Sequence, residues 1–551
     1  MRDVPYSIST TAGDISSLMT SFIQFQQQQQ QLDTIPTLYY IGGFFSFLAG
    51  IANDRYGPQI VTFWGGIVTS ASILAEWAIA KDTIPGVTID DHNVVWLLSI
   101  ANFIWALGNA MMTAPAFSTA IRNFPSARGT VVGFCKGAVG IIGGLFTQLW
   151  AGYMFVPDHG IHTVDYLLAV AVYVFVVAMC ALPFIKVYEA TPSQATRKRR
   201  IQYSYFNLFL LCVVVGIAAA MESSNSSSAR RGFAIGITFL VCTLFGVFLI
   251  RSDDTQTITT IDDDDDDVNN NKSVQNEGKK LGDNVSLLSM IQMRESYCIL
   301  LCAMALFGCG TMITSNLAQM VKARNMSTVT KSMGVSIFSF AQALSRMVCG
   351  AGADVVLLNI RLPTWYAART MRLAEASLIM ALGHFIIMVS SSTEWIFLSG
   401  VGLTGIGFGA LHPLLVVCTS ELFGLKHHSK NYCFFDGWGS AVSSLLLGQV
   451  LVQYYYESHT VNGDNDCYGT GCFQMPHIVA SLTCLASACA AIYVTTCRAL
   501  PLYKSIRSAN NSDLGNLNTS LLASSSNDDL DDTPSDVPPS QFATGAWVVT
   551  A

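Results

Sequence analysis

The chain has 551 residues, 51% of them hydrophobic and 12% charged, whereas a soluble domain carries about 25% charged residues. That composition excludes an ordinary water-soluble protein, and a net charge of -7 says little about partners because much of the acid sits in two polar stretches. The fifteen cysteines lie mostly inside apolar runs, where free Cys acts as a small hydrophobe, so a disulfide scaffold or a zinc ribbon fits poorly.

In chain order, residues 1–24 are too polar to cross a bilayer, and Gln26–Gln31 rather than a basic region precedes the first apolar run. No cleaved signal peptide is read there. Thirteen apolar runs follow, near 35–52, 60–80, 94–116, 130–155, 165–186, 205–221, 232–251, 296–316, 330–353, 373–391, 396–418, 432–453 and 475–497. A run of about 20 apolar residues is what a helix needs to span hydrocarbon. Arg55, Arg122, Arg128, Lys186, Arg197–Arg200, Arg361, Arg369, Arg372 and Lys426 fall on one side of this array, while Lys81, Arg230, Arg231, Lys322, Arg324 and Lys331 fall on the other. The richer side is cytoplasmic.

Gly50-Ile-Ala-Asn-Asp54 recurs 300 positions later as Gly350-Ala-Gly-Ala-Asp354. Gly108 and Phe124 answer to Gly407 and Phe423, and Lys136-Gly137 answers to Asp436-Gly437. Halves that repeat a membrane segment with its exit turn build a two-bundle transporter. The turn in the second half follows its second span, whereas Gly50–Asp54 follows the first span visible in its half. The repeat therefore implies that a first helix is missing or truncated, or that the protein works without it.

The remaining pieces are polar. Residues 252–295 contain Asp262–Asp267 and Asn269–Asn271 and read as a disordered, self-repelling cytoplasmic loop. Within it, Asp283, Leu287 and Leu288 have the spacing of an acidic dileucine signal for a sorting adaptor. Cys467-Tyr-Gly-Thr-Gly-Cys472 lies in an outer loop and reads as a small disulfide, with two free thiols as the alternative. Asn225 and Asn325 head glycosylation patterns on the same outer side. The expected division is an N-terminal bundle over 1–186, a basic loop with two linker helices over 187–251, the acidic loop, a six-helix bundle over 296–500, and a disordered tail over 501–551.

The glycine-acid turns resemble those of the major facilitator superfamily. Asn123-Phe-Pro-Ser-Ala-Arg-Gly-Thr-Val-Val-Gly133 with Lys136-Gly137, then Ser420-Glu-Leu-Phe-Gly-Leu-Lys-His427, Asn431-Tyr432 and the Cys467/Cys472 loop, resemble the nodulin-like family within it. The resemblance runs from about residue 35 to 505. It implies an all-α polytopic membrane protein of two six-helix bundles with two helices between them.

Functional candidates follow from polar residues placed in or beside the membrane. Lys136 and Asp436 each sit a few residues into a span and each precede a glycine. An ionisable group inside a span defaults to a functional hypothesis. The two either form an ion pair across a central cavity, which solute or a proton competes for, or both reach to the cytoplasmic surface. Asn102 and Asn109, with Trp105 between them, share one helical face, and Asn316 and Gln319 share another. Each pair either bonds to neighbouring helices or lines the path. Gly50, Asp54, Arg55, Gly350 and Asp354 read as a conformational latch in which the acid accepts hydrogen bonds from a neighbouring helix N-terminus. A plain tight turn is the alternative. Arg128 and Arg346 read as helix-end anchors or cytoplasmic gate charges, with holding an anion as the alternative, Glu421 with Lys426 repeats the gate pattern, and His412 before Pro413 reads as a structural His or a proton relay.

No GxxxxGK[ST], HExxH or Gly-x-Ser-x-Gly element is present in a soluble segment, so the sequence points to no enzyme, no cofactor, no metal and no nucleic acid. The reading is a secondary or facilitative transporter of a small polar or anionic solute, with a proton as a candidate co-substrate. It works in a plasma, vacuolar or endosomal membrane. The alternative is a non-transporting sensor that keeps the fold and signals through its loop and tail.

Overall fold

The computed structural model describes residues 34–81, 83, 93–153, 163–187, 190–192, 194–220, 227–249, 255–257, 281–390, 393–460 and 467–509. Residues 1–24, the acid run Asp262–Asp267, the glycosylation pattern at Asn225 and the tail beyond 509 lie outside them.

The first half comprises α1 (Thr34–Phe44), α2 (Ser46–Tyr56), α3 (Pro58–Ala80), α4 (Asn93–Asn123), α5 (Arg128–Tyr153) and α6 (Thr163–Ala181). Two linker helices follow, α7 (Gln194–Ala220) and α8 (Ser227–Leu249). The second half comprises the short α9 (Leu287–Ile291), then α10 (Arg294–Ala323), α11 (Thr328–Leu358), the one-turn α12 (Thr364–Ala367), α13 (Arg369–Val389) and α14 (Glu394–Phe423). It ends with α15 (His428–Ser443), a π-helical segment Ser444–Val450, α16 (Leu451–Ser458) and α17 (Gly471–Tyr493). Among the described residues, nine helices are long and apolar enough to cross a membrane. A helix satisfies its backbone polar groups internally, which is why hydrocarbon selects this form.

Local chemistry sets the ends. Gly57 adopts φ +84°, which only glycine takes without strain, and Pro58 then occupies the first turn of α3. Ser327 caps α11 by accepting from the Thr330 amide at 3.2 Å. The run read as 35–52 is two helices rather than one, broken at Phe45, whose amide turns back to the Gly42 carbonyl at 3.1 Å.

Within the first half α3 packs on α4 and α6, and within the second α14 packs on α11 and α13. The halves meet along two seams, α2 against α15 and α5 against α11. Helices α7 and α8 lie along the second seam, where Leu208, Leu211, Cys212, Val215 and Ile237 form one apolar cluster with Ile141 of α5 and Ala343 and Met347 of α11.

Two expectations of disorder need correction. In the 252–295 loop, Thr255–Thr257 pairs antiparallel with Ala190–Pro192, in keeping with the strand preference of threonine. Residues 281–293 are ordered as well, because the chain docks on the end of α14: the Gly282 amide donates to Leu422 O at 2.9 Å and that of Val285 to Phe423 O at 3.0 Å. Leu287 thus begins a helix capped by Ser286 and is half-buried, while Leu288 is exposed and Asp283 lies on the surface. At the other end, residues 500–509 are helical rather than disordered, and the fully buried Tyr503 anchors that helix.

Candidate functional site

The two glycine-acid turns are inter-bundle contacts. Asp354, near the C-terminal end of α11, receives the N-terminus of α5: it accepts from the Gly129 amide at 3.1 Å, the Thr130 amide at 2.6 Å and the Thr130 hydroxyl at 2.8 Å. Free amides and the helix dipole make that end a natural seat for a carboxylate. The approach requires glycine on both sides, since a Cβ at Gly133 would meet Gly350 Cα at 2.8 Å. Asp54 makes the mirror contact, accepting from the Lys430 amide at the start of α15 at 3.3 Å. A Cβ on Gly50 would meet Lys430 Cα at 2.5 Å. Arg55 is exposed, its guanidinium over the Tyr56 ring at 5.5 Å.

The gate charges do not pair as the sequence suggested. Glu421 bonds to Arg369 rather than to Lys426, and Arg369 bonds to Asp354 at 2.6 Å, giving a buried acid-base-acid chain. The Lys426 amide instead donates to Asn284 Oδ1 at 3.0 Å, because the docked 281–293 segment occupies that place. Arg128 heads α5 within electrostatic range of Arg369 and Asp354. Arg346 is not at the gate: one turn above the Gly350 turn, it points into the seam between the halves.

That seam holds Lys136 and Asp436. Lys136 is buried, and its ammonium donates to the Tyr432 hydroxyl at 2.8 Å, which donates in turn to Asp436 Oδ1 at 2.9 Å. The ammonium and carboxylate are 4.0 Å apart, with the Asp436 side chain 34% exposed and that of Lys136 8%. Phe117 of α4 lies under the ammonium, 4.3 Å from ring centre to Nζ. Arg346 donates to the Lys136 carbonyl at 3.1 Å, to Gln342 Oε1 at 3.0 Å and to His412 Nε2 at 3.2 Å. His412 Nδ1 is 2.9 Å from Phe408 O. A carbonyl only accepts and a guanidinium only donates, so the ring is the neutral Nδ1–H tautomer. Two cations and one carboxylate leave this cluster with an excess positive charge.

The amides divide. Asn109 donates to the Tyr39 hydroxyl at 3.3 Å. Asn102 turns back to Leu98 O in its own helix at 3.1 Å and is fully buried. Asn316 ties α10 to the π-helical segment through Gly448 O at 2.8 Å, and Gln319 is half-buried nearly one turn on. Neither is brought to Lys136. Cys467 and Cys472 are joined by a disulfide in the loop before α17.

A model of the nodulin-like family matches residues 7–250, which include the Asn123–Gly133 stretch and Lys136-Gly137. This chain is similar to the protein NUCLEAR FUSION DEFECTIVE 4 of Arabidopsis thaliana, with 22% identity over 481 residues that cover 81% of this chain and 78% of that protein. Its fold is similar to that of the major facilitator superfamily proton:xylose symporter XylE bound to 6-bromo-6-deoxy-D-glucose, at a TM-score of 0.53 and 13% identity over 89% of this chain and 91% of that one. Identity at that level speaks for the fold alone. The chain is a multi-pass membrane protein with the major facilitator fold.

Three residues of this chain are not marked as site members by the sequence. Tyr432 was visible only as part of a family stretch, and Arg369 only as one of many cytoplasmic charges. Glu76 carries a signal of its own, since it is an acid inside an apolar span, near the C-terminal end of α3.

Proposed function

We propose that this protein moves a small anionic or polar solute by alternating access, binding it at the Lys136–Tyr432–Asp436 cluster. The carrying observation is that Lys136, from the first bundle, reaches Asp436 of the second through one shared hydroxyl. A solute anion that takes Lys136 from Tyr432 and Asp436 loosens a tie between the bundles, and its charge offsets the excess positive charge there. Arg346 supports the anionic choice, since it adds a second buried cation whose donors already engage Lys136 O, Gln342 and His412. The Asp54 and Asp354 contacts then act as cytoplasmic latches that part when the halves rock. The likeness to a proton:xylose symporter supports a proton as co-substrate without naming the solute.

The test is saturable flux of radiolabelled pentoses, hexoses and small mono- and dicarboxylates into vesicles holding the full chain. Lys136→Ala and Asp436→Asn are each expected to reduce flux at least ~10-fold, because each breaks the tie between the bundles and Asp436→Asn also leaves the buried Lys136 uncompensated. Unchanged flux in both variants sinks the central-cluster assignment. No flux of any solute, with ligand-dependent capture of a cytoplasmic partner, favours the sensor.

A further inference from the structure

Glu76 lies within the α3 span, fully buried, and neither carboxyl oxygen has a hydrogen-bond partner. Among the described residues, none pairs with either oxygen. Its own helix has Lys81 beyond it, already paired with Asp165 at 2.9 Å. From the packed elements, α4 brings no acid or base between Asn93 and Ile121. Helix α6 brings Tyr166, Tyr173 and Asp165, the last bound also by Trp77 Nε1 at 3.3 Å. Helix α1 brings Tyr39 and Tyr40, and the Asp54 and Arg55 of α2 stand at the opposite, cytoplasmic end of α3. An ionised carboxylate left bare in hydrocarbon is far costlier than a neutral acid.

The surroundings suit the acid form. One turn before Glu76, the Ser72 hydroxyl bonds to Ala101 O, so antiparallel α4 passes Glu76 at its Leu98 turn. At that level Asn102 leaves its Oδ1, and Ser99 its Oγ, without a partner. A carboxylic acid is a donor, and Asn102 Oδ1 is an acceptor without one. Tyr39 stands on the other side, its ring edge-on to Trp105 at 5.4 Å and its hydroxyl bonded to Asn109. It lies within electrostatic reach of both Glu76 and Asp436.

We propose that Glu76 is a proton-binding site in the first bundle, linked through Tyr39 and Asn109 to Asp436 in the central cluster. The ligand is the proton itself. Release transfers it to water that enters as α3 and α4 open, leaving a carboxylate, and reprotonation from the opposite side restores the acid. Coupling of that cycle to a solute rests on the transport reading above, whereas the protonated state of Glu76 does not.

Infrared spectra of the full chain in lipid vesicles test this, in light and heavy water across a pH series. The wild type minus Glu76→Gln difference at neutral pH is expected to contain the carbonyl stretch of a protonated carboxylic acid, shifted in heavy water. Glu76→Met, of similar volume and without polar atoms, is the second variant and is expected to lose the same band. Absence of the band from both differences overturns the site. In Asp436→Asn, the pH at which the band disappears is expected to move, and an unmoved value overturns the link to the central cluster. Absence of flux for every solute would remove the transport reading while leaving the band in place.

Discussion

The two glycine-acid turns share a backbone design and differ in their side chains. Both place a carboxylate on the N-terminus of a helix in the other bundle, and both need a glycine at the crossing. The second turn adds Arg369 and Glu421, so Asp354 is held by three bonds from α5 and by a buried guanidinium. The first has Arg122 where the repeat has Glu421, and Arg122 reaches out to Leu425 O at 3.2 Å from an exposed position. Its support comes instead from Asn53, whose amide donates to Ser118 Oγ at 3.1 Å and Ser429 Oγ at 2.9 Å. A duplicated fold thus keeps what its backbone demands and lets the charges around it diverge. The first contact is held by fewer bonds than the second.

That ranking can be broken by substitution. The largest effect is expected from Arg369→Ala, which leaves Asp354 and Glu421 buried without their cation; loss of a partner from a buried pair costs about 3–5 kcal/mol, read as a lowered thermal midpoint in detergent. Next comes the direct comparison of the acids. Asp354→Asn should cost about 2–3 kcal/mol and Asp54→Asn about 1 kcal/mol, following the number and charge of the bonds each loses. Equal costs in chemical unfolding would remove the asymmetry. The smallest change is expected for Arg122→Ala, within about 0.5 kcal/mol as for other surface substitutions, so a melt clearly below wild type would show the first latch to be charged after all.

Much of the fold was legible before any coordinates. Composition placed the chain in a membrane, and each apolar run corresponds to a helix or, near 35–52 and 432–453, to adjoining helices. The site was legible only in part. Lys136 and Asp436 stood out because ionisable residues in apolar runs are rare, yet Tyr432 between them looked like any other aromatic residue. Arg346 was read as a gate charge from its distance to Gly350, but helical geometry turns its side chain into the seam, onto Lys136 O and His412. The ordered 281–293 segment was hidden by its polar composition, because what orders it is the exposed backbone at the end of α14.

The sequence by itself determined that this is a membrane protein of two related helical halves, with two helices between them and with acids at equivalent turns. Those properties are written in local terms: run length, charge placement and a repeat at a fixed offset. Only the tertiary structure decided which charges meet. Asp354 and Thr130 are 224 positions apart, and Lys136 and Tyr432 are 296 apart. Pairs at such separations depend on how one bundle seats against the other, and that follows from the close packing of small residues along two seams rather than from any spacing in the chain.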